Sequence, residues 1–311
     1  MQQPSSARGP LVWRDMDQKT LDDAYNQAAY APNMDLILGR IAAASEVTRE
    51  ILGAPYRLAY GPSEDERLDV YRAHAPSLRS PASRREKQEG APVNVFVHGG
   101  AWLRGSAAQS AFIAEAMVGA GAHAVLIDFI NAGQTGGDLV PMAEQVARAI
   151  AWTWHNAESF GGDRNRFYVS AHSSGAHLAA CALSRGWREQ NLPADFCKGA
   201  LLVGGMYDLA PVRRSARSAY VKFTDATEEA LSPQRHIDNI TMPLVIAYGT
   251  CETPEFQRQS RDFAAAVKAA GKPVELLVGE GYNHFEMLET LANPYGLLGR
   301  AMLTQMKLMQ D

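Results

Sequence analysis

The chain has 311 residues, of which 46% are hydrophobic and 21% charged, and this ordinary globular composition excludes a largely disordered or fibrous protein. Its 30 basic and 34 acidic residues leave a formal net charge of −4, which gives no electrostatic signal for binding to nucleic acid or to an anionic membrane. The chain shows no apolar run of membrane-spanning length and no signal peptide at its start, so we expect a cytoplasmic protein without membrane contact.

The amino-terminal part is predicted to hold a tail and then helices. Residues 1–10 are polar and contain two prolines, so we expect a flexible tail over residues 1–14. Beyond it, apolar residues recur at helical spacing, as at Leu21, Ala24, Tyr25 and Ala28. We therefore predict a helical segment over residues 15–50, which either covers the active site like a cap or completes the core.

Two short strands are predicted next, over Arg57–Tyr60 and Leu68–Tyr71, with a Gly-Pro turn between them. Residues 75–91 are rich in proline, serine and charge and are predicted to form an exposed loop. Because strand-like sequence lies on both sides of this loop, we predict a single domain over residues 15–311.

From residue 93 onward, predicted strands alternate with predicted helices. The strands are Val93–Val97, Ala124–Ile130, Phe167–Ser170, Ala200–Val203, Leu244–Tyr248 and Val274–Val278. The helices are Ser110–Ala120, Leu139–Ser159, Ser174–Arg185, Phe256–Ala270 and Pro294–Met309. This alternation predicts an α/β fold, a mostly parallel sheet flanked by helices.

The sequence Ala171-His172-Ser173-Ser174-Gly175 follows a predicted strand and opens a predicted helix. The pattern G-x-S-x-G in that context is the nucleophile elbow of serine hydrolases, with alanine here in place of the first glycine. The pattern centres on Ser173, so we predict this serine as the nucleophile and treat Ser174 as a rival hydroxyl. The alternative is that Ser173 is only the polar cap of a helix.

The loop His98-Gly99-Gly100-Ala101-Trp102 directly follows a predicted strand. An HGG-type loop in this place supplies N–H groups that bind the oxyanion of acyl transfer, together with the N–H of the residue after the nucleophile. We therefore predict that the backbone N–H groups of Gly100, Ala101 and Ser174 form an oxyanion hole. The alternative is a plain turn that ends a strand.

A serine nucleophile needs a base, and the base needs an acid that orients it, in the chain order Ser, acid, His. His284 follows the last predicted strand and is therefore the predicted base. Glu252 and Glu255 both follow the strand Leu244–Tyr248. We prefer Glu252 because it is nearer the strand end, whereas Glu255 is well explained as a carboxylate at a helix start.

With these residues placed, the sequence resembles the arylformamidase (kynurenine formamidase) group of the α/β-hydrolase superfamily, near the hormone-sensitive-lipase-like esterases, from about residue 15 onward. The family motifs HGG-x-W, G-H-S-A-G-A-H-L, Y-D-L-x-P, S-P-Q-R, D-S-P-E-F with R-Q-S, and D-H-F-E match His98–Trp102, Ala171–Leu178, Tyr207–Pro211, Ser232–Arg235, Glu252–Ser260 and Asn283–Glu286. The resemblance implies an α/β-hydrolase fold and the catalytic residues Ser173, Glu252 and His284, so it favours Glu252 over Glu255.

Three departures from the family pattern bear on function: Ala171, the glutamate at 252 where the family has aspartate, and the segment 128–134. We expect hydrolysis of a small aromatic amide or formamide through an acyl-enzyme, with a carboxylesterase as the alternative. A non-catalytic binding protein on a hydrolase scaffold is the third hypothesis.

The expected partner is a small-molecule substrate, and the mechanism requires no metal and no organic cofactor. Trp102, Phe129 and Tyr207 are candidates for contact with an aromatic substrate, and the alternative is that they pack in the core. Because the three cysteines Cys181, Cys197 and Cys251 show neither paired nor clustered spacing, we expect no disulfide framework and a reducing compartment. Whether the protein forms a homodimer stays open.

Overall fold

The computed structural model describes residues 9–73, 90–187 and 190–309. Most of the predicted loop 75–91 and the first eight residues of the predicted tail lie outside the described residues. Within the described ranges, no helix combines the length and the apolar character needed to cross a lipid bilayer.

The centre of the molecule is a mostly parallel β-sheet. The strands are β1 (Leu11–Trp13), β2 (Met16–Asp17), β3 (Tyr56–Ala59), β4 (Arg67–Tyr71), β5 (Ala91–Val97), β6 (His123–Ile127), β7 (Gly162–His172), β8 (Ala200–Val203), β9 (Leu244–Gly249) and β10 (Val274–Gly279). The central sheet has eight strands in the order β10-β9-β8-β7-β5-β6-β4-β3, in which β4 pairs antiparallel with both neighbours. The remaining pairs are parallel, so the mostly parallel sheet is confirmed.

Helices cover both faces of this sheet. They are α1 (Gln18–Ala24), α2 (Met34–Leu52), α3 (Ala114–Gly119), α4 (Val140–Asn156), α5 (Ser174–Leu183), α6 (Leu209–Arg214), α7 (Asp225–Ala230), α8 (Pro254–Ala269), α9 (His284–Glu289) and α10 (Leu297–Gln305). Side chains alternate across β5, so that Val93, Val95 and Val97 join one core cluster and Phe96 joins the cluster on the other face. Burial on both faces explains why the central strands are continuous apolar runs.

The N-terminal segment is more broken than the sequence pattern predicts. Residues 11–13, placed in the predicted tail, pair instead with residues 16–17 as a short hairpin. The predicted helix is divided into α1, a 3₁₀ turn at Gln27–Tyr30 and α2. The break between the 3₁₀ turn and α2 falls at Pro32, because the clash of the proline ring with the preceding residue disfavours helix there. Leu21 and Tyr25 of this segment are buried in the main core cluster.

The parallel strands bring four loops to one edge of the sheet. Since β5, β7, β9 and β10 run in the same direction, their carboxyl ends meet at that edge. The loops that follow them begin at His98, Ser173, Thr250 and Glu280. The predicted oxyanion loop, nucleophile, acid and base therefore converge, although they are far apart in sequence.

Candidate active site

Ser173 lies at a sharp turn between β7 and α5. Its backbone has φ 59° and ψ −128°, a conformation that costs a non-glycine residue of order 1–3 kcal/mol. The Ser173 N–H donates to the carbonyl of Val203 at 2.8 Å, which ties the turn to the neighbouring strand. A strained serine between a strand and a helix is the geometry of a nucleophile elbow rather than of an ordinary helix cap.

Small residues allow this turn to form. A Cβ on Gly175 would lie 2.3 Å from the carbonyl oxygens of both Val97 and His98, so only glycine fits there. Ala171 is different, because it lies inside β7 and is not among the residues with positive φ. Alanine is therefore tolerated at the position where the family motif has glycine.

Ser173, His284 and Glu252 form a continuous hydrogen-bonded chain. The Ser173 hydroxyl donates to Nε2 of His284 at 2.8 Å, and Nδ1–H of His284 donates to Oε2 of Glu252 at 2.8 Å. The three residues are 8%, 3% and 1% exposed, respectively, so the chain is nearly withdrawn from water. The structure thus brings together the three residues predicted as catalytic.

His284 is placed by a helix start that the sequence prediction missed. It is the first residue of α9, and Asn283 caps this helix through a reciprocal capping box with Glu286. The signal was present in the sequence, since a capping residue followed three positions later by glutamate is typical of a helix N-terminus. The cap fixes the backbone from which the imidazole projects.

The carboxylate of Glu252 is held by more than His284. The N–H of Gly249 donates to Oε1 at 3.0 Å, and Nε2 of Gln27 donates to Oε2 at 2.9 Å. Gln27 is 225 residues away in sequence, and nothing in the local pattern around it predicts this contact.

Glu255, the rival acid, faces a different set of partners. It accepts two hydrogen bonds from the Arg258 guanidinium, at 2.6 and 2.7 Å, and one from the Tyr25 hydroxyl at 2.9 Å. The structure pairs Glu252, and not Glu255, with His284.

The ring of His172 packs against the ring of His284, with 4.3 Å between the centroids and the two planes tilted by 38°. Its Nε2–H donates to the backbone carbonyl of His284 at 3.0 Å, since a carbonyl can only accept. Burial, together with the nearby His284, holds the pKa of His172 well below its usual value. A neutral His172 supports the base without competing for its proton.

The predicted oxyanion loop has an unusual backbone. Gly100, Ala101 and Trp102 have φ of 125°, 57° and 64°. The Gly100 carbonyl accepts from the N–H groups of both Leu103 and Arg104 at 3.0 Å. Within the described part of the chain, the N–H groups of Gly100 and Ala101 have no acceptor among the backbone and side-chain hydrogen bonds of this loop.

Ser174, whose N–H is the third predicted donor, is the first residue of α5, and a residue at this position has no intrahelical partner for its N–H. Its hydroxyl accepts from the Trp102 N–H at 3.2 Å, so Ser174 braces the oxyanion loop instead of competing with Ser173 as a nucleophile. His98 fixes the same loop, because its Nδ1–H donates to the carbonyl of Gly99 at 2.8 Å.

Two of the three predicted substrate contacts line a cavity beside this loop. The cavity has a volume of about 210 Å³ and includes Trp102, Phe129 and residues of the segment 128–134 among its lining residues. Phe129 stacks on His98 with ring centroids 4.4 Å apart. Trp102 is only 2% exposed, and its Nε1–H donates to Nδ1 of His177 at 3.2 Å, so most of its ring belongs to the core.

Tyr207 departs from the prediction. It is fully buried and stacks on Phe263 with ring centroids 4.3 Å apart. Its backbone N–H donates to Gln259 at 2.6 Å. The structure therefore places Tyr207 in the core, which is the commoner outcome for a large aromatic ring.

Gly204, like Gln27, is a site residue that the sequence prediction missed. It follows β8 with φ 53°, and a Cβ there would lie 3.0 Å from Oε2 of Glu252 and from two ring atoms of His284. Its lack of a side chain leaves room for the acid and the base. Across the described ranges, no three histidine, cysteine or carboxylate side chains are grouped as metal ligands.

Comparison with known proteins places this geometry in a family context. The family model described as BD-FAE matches residues 81–195, which include the oxyanion loop and Ser173. The kynurenine formamidase of Danio rerio is 29% identical over 306 residues, which cover 94% of this chain and 97% of the relative. That of Salmo salar is 29% identical over 90% of this chain and 94% of the relative. Along nearly its whole length the chain thus resembles the kynurenine formamidases, as an arylformamidase-like α/β-hydrolase would.

Esterases also resemble this hydrolase. The isoprenylcysteine alpha-carbonyl methylesterase of Arabidopsis thaliana is 26% identical over 74% of this chain and 56% of the relative. Among solved structures, a Silicibacter protein described as a thioesterase has a TM-score of 0.74 at 22% identity, covering 90% of this chain and 97% of that one. The esterase of Pyrobaculum calidifontis has a TM-score of 0.64 at 18% identity, covering 92% and 95%. These structures establish the α/β-hydrolase fold.

Proposed function

We propose that this hydrolase cleaves a small aromatic amide or formamide through an acyl-enzyme formed on Ser173. The observation that carries the proposal is the buried chain from the Ser173 hydroxyl through His284 to Glu252, with both contacts at 2.8 Å. An imidazole within hydrogen-bond reach of a serine hydroxyl, and itself oriented by a carboxylate, is the arrangement that activates a serine.

The steps follow from the contacts. Ser173 Oγ attacks the carbonyl carbon while Nε2 of His284 takes the hydroxyl proton, and Glu252 stabilises the resulting imidazolium. The N–H groups of Gly100, Ala101 and Ser174 bind the oxyanion, and each such donor is worth about 100- to 1,000-fold in rate. His284 then protonates the leaving amine, and water releases the acyl group by the same route.

The formamide preference is supported by similarity along nearly the whole chain to proteins named kynurenine formamidase. A carboxylesterase is the second candidate, supported by similarity to methylesterases. The segment 128–134 departs from the family pattern and contributes to the cavity beside the oxyanion loop. Ser173 does not line this cavity, so the segment acts on substrate choice only where a substrate extends from Ser173 past the oxyanion loop into it.

The test compares kcat/KM on N-formylkynurenine and on a panel of p-nitrophenyl esters. The formamidase proposal predicts a clear preference for the formamide. Turnover of esters with negligible formamide hydrolysis would favour the carboxylesterase instead and would direct attention to segment 128–134. A folded protein that a fluorophosphonate does not label would refute the proposed nucleophile.

The catalytic roles are tested by two substitutions. Ser173→Ala removes the nucleophile and is expected to lower kcat by about a million-fold, whereas Glu252→Gln, which leaves nucleophile and base in place, costs about ten thousand-fold. Rates on the preferred substrate and circular dichroism of both variants check this order. Substantial turnover by folded Ser173→Ala would contradict the nucleophile assignment.

The proposed location is the reducing cytoplasm. All three cysteines are free thiols, with Cys181 and Cys197 buried and Cys251 exposed. Burial raises the pKa of the Cys197 thiol to about 12, so this sulfur stays protonated and unreactive. Unpaired cysteines of this kind are typical of proteins in a reducing compartment.

A further inference from the structure

Gln27 reaches the acid of the site from the far end of the sequence. It lies in the 3₁₀ turn after α1, and its residue is only 6% exposed. Nε2 donates to Oε2 of Glu252 at 2.9 Å, and Oε1 accepts from the N–H of Thr253 at 3.1 Å. The side-chain amide of Gln27 therefore bonds both to the carboxylate of Glu252 and to the backbone of the next residue.

The partners determine the orientation of this amide. A carboxylate oxygen can only accept and a backbone N–H can only donate. If the amide were turned over, its oxygen would face the oxygen of Glu252 and its NH₂ would face the N–H of Thr253. The observed orientation satisfies both contacts.

The amide has a specific task at this carboxylate. Oε2 of Glu252 accepts from Nδ1 of His284 as well as from Gln27, while Oε1 accepts from Gly249. A glutamate has one more rotatable bond than the aspartate of the family pattern, so it has more ways to leave the imidazole. The Gln27 contact restricts that freedom on the oxygen that His284 uses.

We propose that Gln27 is a positioning residue that holds Glu252 against Nδ1 of His284, so that the N-terminal segment is part of the catalytic machinery. The inference rests on the proposed serine-hydrolase function. Gln27 acts through Glu252 and is not expected to touch substrate.

The segment that carries Gln27 is anchored independently of the carboxylate. The Tyr25 hydroxyl bonds to Glu255 and accepts from Gln259, and the Tyr25 carbonyl accepts from Arg217 at 2.9 Å. On the other side, Asn33 bonds to Asn283 and Glu286, the capping-box residues on either side of His284. The chain is therefore anchored on both sides of Gln27, so that the Gln27 amide has a fixed position against the carboxylate of Glu252.

The principal test is Gln27→Met, which keeps the length of the side chain and removes both hydrogen bonds. Because a misplacement of about 1 Å can cost about 100-fold in rate, we expect kcat on p-nitrophenyl acetate to fall by about 10- to 100-fold, with KM within about twofold. Gln18→Met is the matched control, since the same substitution removes two side-chain hydrogen bonds of the same segment, to Asp22 and to the Arg214 carbonyl, neither of which reaches Glu252. Its kcat is expected to stay within about threefold of the wild type.

A second variant and a double mutant distinguish a positioning role of Gln27 from a general loss of structure. Gln27→Glu keeps an acceptor for Thr253 and puts an oxygen against Glu252, so it is expected to lose at least as much kcat as Gln27→Met. In a Glu252→Gln background, Gln27→Met is expected to cost less than about threefold, because residues that act as a unit are not additive. An undiminished loss in that background, an equal loss in Gln18→Met, or a kcat within twofold of wild type in both Gln27 variants would overturn the proposal.

The rate of Ser173 labelling by a fluorophosphonate separates this inference from the proposed function. The Gln27 variants are expected to label about 10- to 100-fold more slowly than the wild type. A wild type that labels but hydrolyses no substrate of the panel would contradict the proposed substrates and leave the labelling comparison as the test of Gln27. Labelling of Gln27→Met at the wild-type rate would refute the positioning role even where the wild type turns over its substrates.

Discussion

Glu252 and Glu255 lie three residues apart and are both buried, yet only one of them reaches the imidazole. Glu255 is neutralised by Arg258 and capped by the Tyr25 hydroxyl. Burial by itself would lower the pKa of the Arg258 guanidinium, but the hydrogen bond and charge of Glu255 raise it. At the scale of single residues, a glutamate side chain thus has a structural role at position 255 and, in our proposal, a catalytic role at position 252.

This difference predicts the effect of Glu255→Gln. The change leaves Arg258 with only the carboxylate of Asp262, at 2.7 Å, as a charged partner. We expect the free energy of unfolding to fall by about 3 kcal/mol, the low end for a broken buried pair, because that second partner remains. The expected kcat/KM stays within about threefold of wild type. Urea unfolding and steady-state rates check both values, and a loss of activity exceeding that of Glu252→Gln would show that the acid is misassigned.

At the scale of elements, strand ends set the distances in the site. The ends of β7 and β8 meet where the Ser173 N–H bonds to Val203, and the next residue, Gly204, has a left-handed backbone beneath the acid and the base. The end of β9 supplies the Gly249 N–H to Glu252. The register of the parallel strands β7, β8 and β9 therefore aligns the three loops that follow them.

Gly204→Ala tests this alignment. Its Cβ would lie 3.0 Å from Glu252 and His284, at a φ of 53° that disfavours any side chain. We expect kcat to fall by about 10- to 100-fold and the free energy of unfolding to fall by about 1–2 kcal/mol.

The matched control is Gly39→Ala, at an exposed position of α2 where no atom lies within 4 Å of the new Cβ. Alanine there is expected to raise the free energy of unfolding by about 0.5–1 kcal/mol without changing kcat. Wild-type kcat in Gly204→Ala would contradict the alignment argument.

At the scale of the whole molecule, buried histidines make stability depend on pH. Burial lowers the pKa of His98, His172 and His177, the last to about 4 from its ordinary 6.5. His177 is held neutral by its partners, because Nδ1 accepts from Trp102 while Nε2–H donates to the carbonyl of Leu231. Protonation of Nδ1 would place an N–H of His177 against the indole N–H of Trp102.

The sign of the pH effect follows from these lowered pKa values. Well above pH 6.5 the three histidines are neutral in both the folded and the unfolded chain, so they add no pH dependence. Below it, the unfolded chain binds protons that the folded chain does not, so stability falls by up to about 1.4 kcal/mol per pH unit for each histidine until its folded pKa is passed.

Urea unfolding between pH 7 and pH 5 measures this slope before most carboxylates begin to titrate. His177→Gln removes one of the three groups and is expected to make the slope shallower. A wild-type stability that does not change over this range would contradict the buried neutral histidines.

Much of the fold follows from local pattern. The alternation of apolar runs with helical periodicity predicts the α/β sheet, and small errors fall at element ends, as where β6 stops at Ile127 and not at Ile130. The missed helix α9 and the broken N-terminal helix lie where a cap or a proline competes with the apolar pattern. The acid departs from the family pattern only in length, and its place after β9 was predictable from the order of the elements.

The residues alone therefore predict the elements, the order of nucleophile, acid and base, and the loop beside them, because each of these depends on a short stretch of chain whose periodicity and turn chemistry are local. Only the tertiary structure reveals that Gln27 grips Glu252, that Gly204 makes room for the imidazole, and that Tyr207 packs in the core. These contacts join segments tens to hundreds of residues apart, and their partners are decided by how the helices pack on the sheet, which leaves no periodic trace around any one of the residues.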